Sequence, residues 1–246
     1  RAKAVICLTK GFDRDNGYCL FSETLDNILD NKFPIVALTG PSHAEEVGRG
    51  VPTAVVAASR DKVAAEFVQR VFMSDWFRVY TTPDIVGAEL GGALKNIIAL
   101  AVGICDGAGL GDNTKAALMT RGLTEMARLG VALGGQSETF AGLSGVGDLI
   151  VTCISMHSRN HRAGILIGEG KSPDEAIKEV GSVVEGYYAT EAGYFLSQQK
   201  GIEMPICEAM YKILYEKYDV KQALNELMTR NKKQEIEEVW MKHIQW

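Results

Sequence analysis

The sequence lacks the charge and ligand patterns of several protein classes. Lys and Arg total 26 against 31 Asp and Glu, a net charge of -5, so no overall basic field is present to bind nucleic acid or an anionic membrane. The five cysteines are scattered and contain no CxxC pair, which argues against a zinc site or a disulfide framework and favours a reducing, cytoplasmic location. The four histidines lack ligand spacing, so we expect no metal. An anionic ligand must therefore be bound by a local site.

The sequence also lacks a convincing membrane span. The segment from Ile85 to Cys105 is long and apolar enough to be considered. It contains Glu89, Lys95 and Asn96, and each charged group near the centre of a bilayer costs about 2.5–3.5 kcal/mol on insertion scales. We therefore predict that this segment is a helix buried in the middle of a folded domain.

The first third of the chain alternates short β-branched runs with helical patterns. The runs AVICLT, FPIVALTG, PTAVVAAS and FRVYTT predict strands, and SETLDNILD, SHAEEVGRG and RDKVAAEFVQRVF predict the intervening helices. Such alternation is typical of an α/β unit with a largely parallel sheet, whose ligands bind beyond the carboxyl ends of the strands.

After Pro83 the strand patterns give way to helical periodicity. Helices are predicted for DIVGAELGGALKNIIALAVGIC, NTKAALMTRGLTEMARLGVALG, SPDEAIKEVG, ATEAGYFLSQQKG, CEAMYKILYEK and VKQALNELMTR. The tail NKKQEIEEVWMKHIQW predicts a terminal amphipathic helix or a partly ordered end. We therefore expect two domains, an α/β domain over residues 1–83 and a mostly α-helical domain over residues 84–246.

Lys95 is the most unusual residue of the long apolar segment. Gly91 and Gly92 lie one turn before it and would let a ligand or another backbone approach closely. A lysine desolvated there, with its pKa lowered toward neutrality, can accept or donate a proton. The alternative is that the side chain reaches the surface or pairs with Glu89.

Two loops after predicted strands and one glycine-rich turn carry further candidate residues. Lys10 and Ser42 directly follow strands, where α/β sheets bind ligands. Ser42 is placed to cap a helix whose free N–H groups could meet an anion, and His43 is expected to be exposed. Asp148 follows the glycine-rich turn, where capping a helix and acting in a site are equally expected.

The segment MHSRNHRAG concentrates polar residues in a short stretch. It contains Ser158, Arg159, Asn160, His161 and Arg162. An arginine with hydroxyl and amide neighbours makes a good phosphate site, because its planar fork donates two parallel hydrogen bonds. The alternative is a solvated basic turn.

Together these residues form a recognisable pattern. The motifs KGF, GPSHAEEV, ELGGALKNIIALAVGICDGAGLGDNTKAALMTRGLTEM, GLSGVGDLIVTC, SRN and VVEGYYA, in order from about Ala4 to about Arg230, resemble the bacterial NAD(P)-dependent glycerol-3-phosphate dehydrogenase family. The resemblance implies hydride exchange between glycerol 3-phosphate and NAD(P)+, giving dihydroxyacetone phosphate, for glycerophospholipid synthesis. It also implies the distal part of a Rossmann-type parallel-sheet domain, followed by a mostly α-helical substrate domain.

The resemblance further implies the roles of individual residues. Lys95 matches the proton acceptor and donor at the substrate hydroxyl. Substrate contacts are implied for Lys10, Gly40, Ser42, Lys95, Asp148, Ser158, Arg159 and Asn160. Contacts with NAD or NADP are implied for Lys10, Ala44, Arg159, Val183 and Glu185. We expect Arg159 and Asn160 to hold the phosphate, and Asp148 and Lys10 to orient the Lys95 ammonium.

The chain departs from the family pattern at its beginning. It contains no GxGxxG motif, and its nearest glycine-rich pieces, GAGLGDN and GLSGVGDL, have the wrong spacing. It opens on Arg1 with a strand begun almost at once and no signal peptide. We therefore expect a fragment that lacks the N-terminal half of the cofactor domain and binds the dinucleotide weakly. Self-association into a homo-oligomer would cover its exposed sheet edge.

Two other functions are left open by the sequence. Dehydrogenases of hydroxyacids and phosphogluconate also place a lysine on a central helix, but their lysine and asparagine are typically separated, whereas Lys95 and Asn96 adjoin. The second alternative is a non-catalytic helical binding or assembly module of the same fold. A gene without a glycine-rich βαβ unit upstream would favour that module.

Overall fold

A four-stranded sheet occupies the first third of the chain. The computed structural model describes residues 3–235 and 237–240. The strands lie side by side in the order β1 (Val5–Cys7), β2 (Ile35–Thr39), β3 (Thr53–Ala58) and β4 (Phe77–Thr82). The connecting segments contain the helices α1 (Phe21–Ile28), α2 (Ala44–Val47) and α3 (Lys62–Phe72). The four predicted strands and three predicted helices are confirmed.

The sheet is parallel in two of its three strand pairs. β1 pairs with β2 and β3 with β4 in parallel, whereas β2 and β3 are antiparallel, with Leu38 opposite Ala57. The four residues of α2 give about 6 Å of helix. For β3 to run parallel to β2, the connection would have to return along the full length of β2, whose five residues span about 17 Å. The chain therefore turns back at the same end of the sheet, a detail that the alternating pattern did not predict.

Helices and turns make up the described chain after β4. The helices are α4 (Ile85–Gly107), α5 (Asp112–Ala132), α6 (Ser137–Phe140), α7 (Asp148–Ile154), α8 (Arg159–Gly168), α9 (Pro173–Val180), α10 (Glu185–Lys200), α11 (Pro205–Tyr215) and α12 (Val220–Met228). A π-helical turn covers Leu143–Gly147, and a 3-10 turn covers Glu238–Trp240. The six predicted helices are confirmed, whereas α6, the π-helical turn, α7 and α8 were missed. Part of the predicted tail helix, residues 236 and 241–246, lies outside the described residues.

The first helix after the sheet, α4, is the centre of the helical region. Every residue from Ile85 to Cys105 except Val86 is buried. The helix is long and apolar enough to cross a membrane, but 94% of its most apolar window is buried inside the protein. The neighbouring helix α8 packs closely against α4: a Cβ atom on Gly103 would lie 2.2 Å from the carbonyl oxygen of His161 in α8. The prediction of a buried core helix is confirmed.

The change from sheet to helices falls at Asp84. Its carboxylate caps α4 by accepting a hydrogen bond from the N–H of Gly87 at 2.9 Å, and its other oxygen accepts from Gln136 and Thr139. Asp84 thus joins the start of α4 to the segment that leads into α6. The division into domains at residue 83 remains a prediction.

Glu125 of α5 holds the start of α11. Its buried carboxylate accepts hydrogen bonds from the N–H groups of Ile206 (2.8 Å) and Cys207 (3.1 Å). Burial raises the pKa of Glu125 to about 7, although the two N–H groups act in the opposite direction. We expect Glu125→Ala to lower the free energy of unfolding by about 2–4 kcal/mol, because two buried N–H groups lose their acceptor.

Chemical denaturation would measure this loss, with Glu66→Ala as the matched control. That control removes only an i,i+4 ion pair with Lys62 on the accessible face of α3, and such pairs contribute about 0.3–0.5 kcal/mol. Equal losses for the two variants would contradict a capping role for Glu125.

Candidate active site

Lys95 projects from α4 into a polar pocket and is 5% exposed. Its Nζ donates hydrogen bonds to Asp148 Oδ1 at 2.5 Å and to Thr152 Oγ1 at 2.7 Å. Burial lowers the pKa of Lys95 to about 8, while the Asp148 carboxylate acts against that shift and the Lys10 ammonium adds to it. The prediction of a desolvated lysine is confirmed, and the alternative of a surface lysine or a Glu89 pair is wrong.

Glu89 has different partners, on α1. Its carboxylate accepts hydrogen bonds from the backbone N–H of Ser22 at 3.0 Å and from the Ser22 hydroxyl. Burial raises the pKa of Glu89, and the two Ser22 groups oppose that shift. Glu89 therefore joins the start of α1 to α4. Lys95 pairs with Asp148 instead.

Asp148 bridges two lysines. Its Oδ2 accepts a hydrogen bond from Lys10 Nζ at 2.7 Å, and its Oδ1 accepts the one from Lys95. Asp148 is the first residue of α7, the N-cap position belongs to Gly147, and no side-chain cap is formed. The capping alternative for Asp148 is therefore wrong. The carboxylate, 1% exposed, is a buried anion between two cations.

The π-helical turn before α7 carries Asp148 to this place. A Cβ atom on Gly91 of α4 would lie 2.4 Å from the carbonyl oxygen of Ser144, and one on Gly145 would lie 2.0 Å from that of Phe140. Glycine is therefore needed at position 91 for the turn to contact α4, and at position 145 for the turn to pack against the end of α6. π-Helical turns occur frequently at functional sites, and this one places the first residue of α7 beside Lys95.

Lys10 reaches the site along a groove over Gly92. A Cβ atom on Gly92 would lie 3.3 Å from Lys10 Cγ and 3.1 Å from Thr39 Oγ1. Lys10 Nζ also donates to the carbonyl oxygen of Gly40 at 2.9 Å. Gly40 has a φ of 127° and its Cβ would lie 3.2 Å from Val55 Cα, so the turn after β2 requires glycine. The predicted close approach of another backbone is confirmed at Gly91, whereas side chains approach Gly92.

Ser42 and His43 follow this turn. The Ser42 hydroxyl donates to the carbonyl oxygen of Gly40 at 3.0 Å, and His43 occupies the N-cap position of α2 without a side-chain cap. The prediction that Ser42 caps α2 is therefore wrong. His43 is half-buried rather than exposed, and its ring lies 5.9 Å from that of His157 on the helical side.

The SRN segment begins α8. Ser158 Oγ accepts a hydrogen bond from the N–H of His161 at 3.2 Å and caps the helix. Asn160 Nδ2 donates to Asn96 Oδ1 at 2.9 Å, and Asn160 Oδ1 accepts from the N–H of Gly186 at 2.8 Å. Asn160 and His161 are buried, so the alternative of a fully solvated turn is wrong for these two residues.

Arg159 differs from its neighbours because its side chain is exposed at the start of α8. Within residues 3–235 and 237–240 its guanidinium forms no hydrogen bond or ion pair that would occupy its donors. Burial raises the pKa of Glu185, and the positive charge of Arg159 opposes that shift. Arg159 thus presents free donors to an anion.

A cleft of about 1130 Å³ lies between the sheet and the helices. Eight residues selected from the sequence line it: Lys10, Ser42, Ala44, Lys95, Ser158, Arg159, Asn160 and Glu185. Three others are outside the lining. Gly40 and Asp148 lie behind Lys10 and Lys95, and Val183 is exposed beside Ser182, which does line the cleft.

Two residues of the site were missed as candidates. Thr152 accepts from Lys95 and donates to the carbonyl oxygen of Asp148 at 2.6 Å. It lies four residues after Asp148, hence on the same helical face, but that signal is visible only when α7 has been recognised. Asn96 lines the cleft and holds Asn160. Among the described residues, no group of three His, Cys, Asp or Glu could hold a metal ion.

A Rossmann-type sheet, the helical region that follows it and a desolvated lysine in the cleft between them are together the features of a dehydrogenase. The family model for the NAD-dependent glycerol-3-phosphate dehydrogenase C-terminus matches residues 84–225, and the model for the N-terminus matches residues 1–65. The chain belongs to the NAD-dependent glycerol-3-phosphate dehydrogenase family.

Curated relatives and solved structures agree with this assignment. Glycerol-3-phosphate dehydrogenase [NAD(P)+] of Clostridium perfringens (strain SM101 / Type A) is 54% identical over 94% of this chain and 69% of its own length, and that of Desulfitobacterium hafniense (strain Y51) is 61% identical over 96% and 66%. The crystal structure of glycerol-3-phosphate dehydrogenase from Coxiella burnetii matches with a TM-score of 0.87 at 41% identity, over 92% of this chain and 69% of that one.

The chain thus spans about two thirds of the length of these relatives. These relatives do not support the two alternatives from the sequence, another hydroxyacid or phosphogluconate dehydrogenase or a non-catalytic module.

Proposed function

We propose that this protein catalyses hydride exchange between glycerol 3-phosphate and NAD(P)+, giving dihydroxyacetone phosphate for glycerophospholipid synthesis. The observation that carries the proposal is the buried Lys95 amine at the cleft, held by Asp148 and Thr152. The similar curated proteins of Clostridium perfringens and Desulfitobacterium hafniense are named glycerol-3-phosphate dehydrogenase [NAD(P)+].

Lys95 is the general base for substrate oxidation. Its pKa of about 8 leaves a useful fraction of neutral amine near neutral pH. The amine takes the proton of the C2 hydroxyl while the C2 hydrogen leaves with its electron pair, so the C–O single bond becomes a carbonyl. NAD(P)+, when bound, would supply the acceptor for that hydride. In the reverse direction the Lys95 ammonium returns a proton to the carbonyl oxygen.

Asp148 and Thr152 orient the Lys95 amine and stabilise its charged form. The Asp148 carboxylate lies 2.5 Å from Lys95 Nζ, and the Thr152 hydroxyl lies 2.7 Å from it. Two fixed acceptors leave the third position of the nitrogen for the substrate hydroxyl. Lys10, bonded to the second Asp148 oxygen, restricts the carboxylate to this geometry.

The substrate phosphate is held at the start of α8. Arg159 presents free donors there, and the first N–H groups of a helix favour an anion. Ser158 and Asn160 line the same part of the cleft. Lys10 and Ser42 supply contacts from the sheet side, and the Gly40 carbonyl, which accepts a hydrogen bond from each, orients both side chains. Asn160 keeps one amide N–H for the substrate, because its oxygen and its other N–H are occupied by Gly186 and Asn96.

The cleft fits part of a nicotinamide dinucleotide. It is larger than a drug-sized ligand requires, it offers an apolar wall that includes Leu38 and Val47, and it holds a free guanidinium at Arg159. Lys10, Ala44, Arg159, Val183 and Glu185 are the residues that would contact NAD or NADP. In this proposal the domain of residues 1–83 binds the cofactor and the domain of residues 84–246 binds the substrate. The five free cysteines support a cytoplasmic location.

A spectrophotometric assay of the full-length protein tests the function. We expect formation of reduced nicotinamide that depends on both glycerol 3-phosphate and NAD+ or NADP+. Turnover of glycerol without its phosphate at an equal rate, or no turnover with either cofactor, would contradict the proposal.

Arg159→Lys tests the phosphate site. The lysine keeps the positive charge but loses the planar fork, and a hydrogen bond to a charged group contributes about 1.5–3 kcal/mol. We expect the KM for glycerol 3-phosphate to rise about tenfold or more, while the KM for unphosphorylated glycerol changes little. Steady-state kinetics with both substrates measures the difference, and equal changes would mean that Arg159 does not contact the phosphate.

A further inference from the structure

The loop between β1 and α1 is closed on itself. Asp13 and Cys19 form an antiparallel bridge, with Asp13 N–H bonded to the Cys19 carbonyl at 2.9 Å. The Asp13 carboxylate accepts from Asn16 Nδ2 at 2.7 Å and from Thr24 Oγ1 at 2.8 Å. Gly17 and Tyr18 turn the chain with positive φ values of 70° and 63°. The loop is therefore a preformed hairpin that extends from Lys10.

This hairpin is attached to the outer face of α10. The Arg14 guanidinium lies 4.5 Å from the centroid of the Tyr188 ring, and its Nη2 lies 3.3 Å from Glu191 Oε2. The ring of Tyr18 stacks on that of Phe195, with centroids 6.2 Å apart and planes 12° apart. These residues of α10 are spaced at three and four positions, so they form one stripe along the helix.

The same helix begins at the candidate active site. Glu185, its first residue, lines the cleft, and the N–H of Gly186 bonds to Asn160. The chain next to Lys10 also meets α10 at this end: a Cβ atom on Gly11, which has a φ of 153°, would lie 3.2 Å from Glu185 Oε2. The loop thus follows α10 outward from the site, with Lys10 at the inner end, Arg14 farther along and Tyr18 at the outer end.

We propose that Arg14 is a positioning residue, which clamps the loop to α10 and thereby fixes the Lys10 ammonium against Asp148. The inference rests on the proposed role of Lys95, since Asp148 is shared by the two lysines. Lys10 itself has a long flexible side chain that is 23% exposed, so its position depends on the backbone that carries it.

Movement of Lys10 would change the environment of Lys95 in a defined direction. The charged and titratable groups acting on Lys95 are Asp148 and Cys153 from α7 and Lys10 from the loop. The Lys10 charge lowers the pKa of Lys95, and Asp148 raises it. If Lys10 leaves, its repulsion is lost and Asp148 interacts with Lys95 alone. Both changes raise the pKa of Lys95.

Arg14→Ala in the full-length protein tests this clamp. A displacement of about 1 Å at a reacting group can cost 10²-fold in rate, so for a loosened loop we expect kcat at neutral pH to fall about tenfold. We also expect the acidic limb of the kcat profile to move to higher pH. Arg14→Lys keeps a cation over the Tyr188 ring and should restore most of the rate. NMR titration of Lys95 with isotope-labelled lysine should show the same upward movement without any substrate.

Arg78→Ala is the matched control. Arg78 also lies over a ring, 5.6 Å from the centroid of Tyr80 on β4, outside the cleft, and its loss should move neither kcat nor the Lys95 titration. An Arg14→Ala protein with an unchanged Lys95 titration would overturn the proposal, even with lowered thermal stability. Full activity of Lys95→Ala would instead contradict the proposed function. The two failures are distinguishable, because the Lys95 titration in the Arg14 variant is measured without turnover.

Discussion

Lys95→Ala is expected to lower kcat for glycerol 3-phosphate oxidation by about 10²–10⁴-fold, the usual contribution of a general acid-base group. Lys10 cannot replace it, since its Nζ is already bonded to Asp148 and to the Gly40 carbonyl. The variant should remain folded, because α4 is held by apolar contacts along its whole length. Steady-state kinetics measures the loss, and circular dichroism checks the fold.

Lys171→Ala provides the control for this variant. Lys171 pairs with Glu179 on the surface, so its loss should leave kcat unchanged. A Lys95→Ala enzyme that retains more than about a tenth of the wild-type kcat would remove Lys95 from its role, given the size of general-base effects.

Asp148→Asn is expected to have the second largest effect, a loss of about 10²-fold or more in kcat. In the wild type each Asp148 oxygen accepts a hydrogen bond from one lysine. The amide of the variant keeps one acceptor oxygen, and its NH2 group faces the other lysine, with which it cannot form that bond. The Lys95 ammonium that forms during oxidation then lacks its counter-ion. Removing the Asp148 charge also lowers the pKa of Lys95, since that charge raises it. The acidic limb of the kcat profile should therefore move to lower pH while its plateau falls.

Asp112→Asn is the matched control, because Asp112 is an exposed carboxylate that pairs with Lys115. It should change neither the plateau nor the limb. If Asp148→Asn lowered kcat and moved the limb to higher pH, this would contradict the role of the carboxylate in stabilising the Lys95 ammonium.

The sequence predicts best those parts of the molecule that local pattern controls. The run around Lys95 is apolar on nearly all sides of a helix. Both the burial of α4 and the desolvation of its lysine therefore follow from composition. The strands were equally visible as β-branched runs. The antiparallel turn between β2 and β3 was not, because it depends on how far four helical residues of α2 can carry the chain.

The partners in the site are harder to predict because they come from packing between distant segments. Asp148 looked equally suited to a helix cap, and only the π-helical turn against Gly91 shows why its carboxylate faces the two lysines. Thr152 was missed because α7 is short and follows a glycine-rich turn. Ser42 was expected to cap α2, whereas its hydroxyl bonds to Gly40. The resemblance implied Asp148 and Ser42 as site residues but not Thr152, and the structure supplies the contacts of all three.

The most direct test of the account is the titration of Lys95 itself, followed by NMR in full-length protein with isotope-labelled lysine and assigned by comparison with Lys95→Ala. The account predicts a midpoint near the pKa of about 8 that burial gives Lys95, coinciding with the acidic limb of kcat/KM, which reports the free enzyme. A midpoint near the ordinary lysine value of about 10.4, or a limb that does not follow the Lys95 titration, would contradict it.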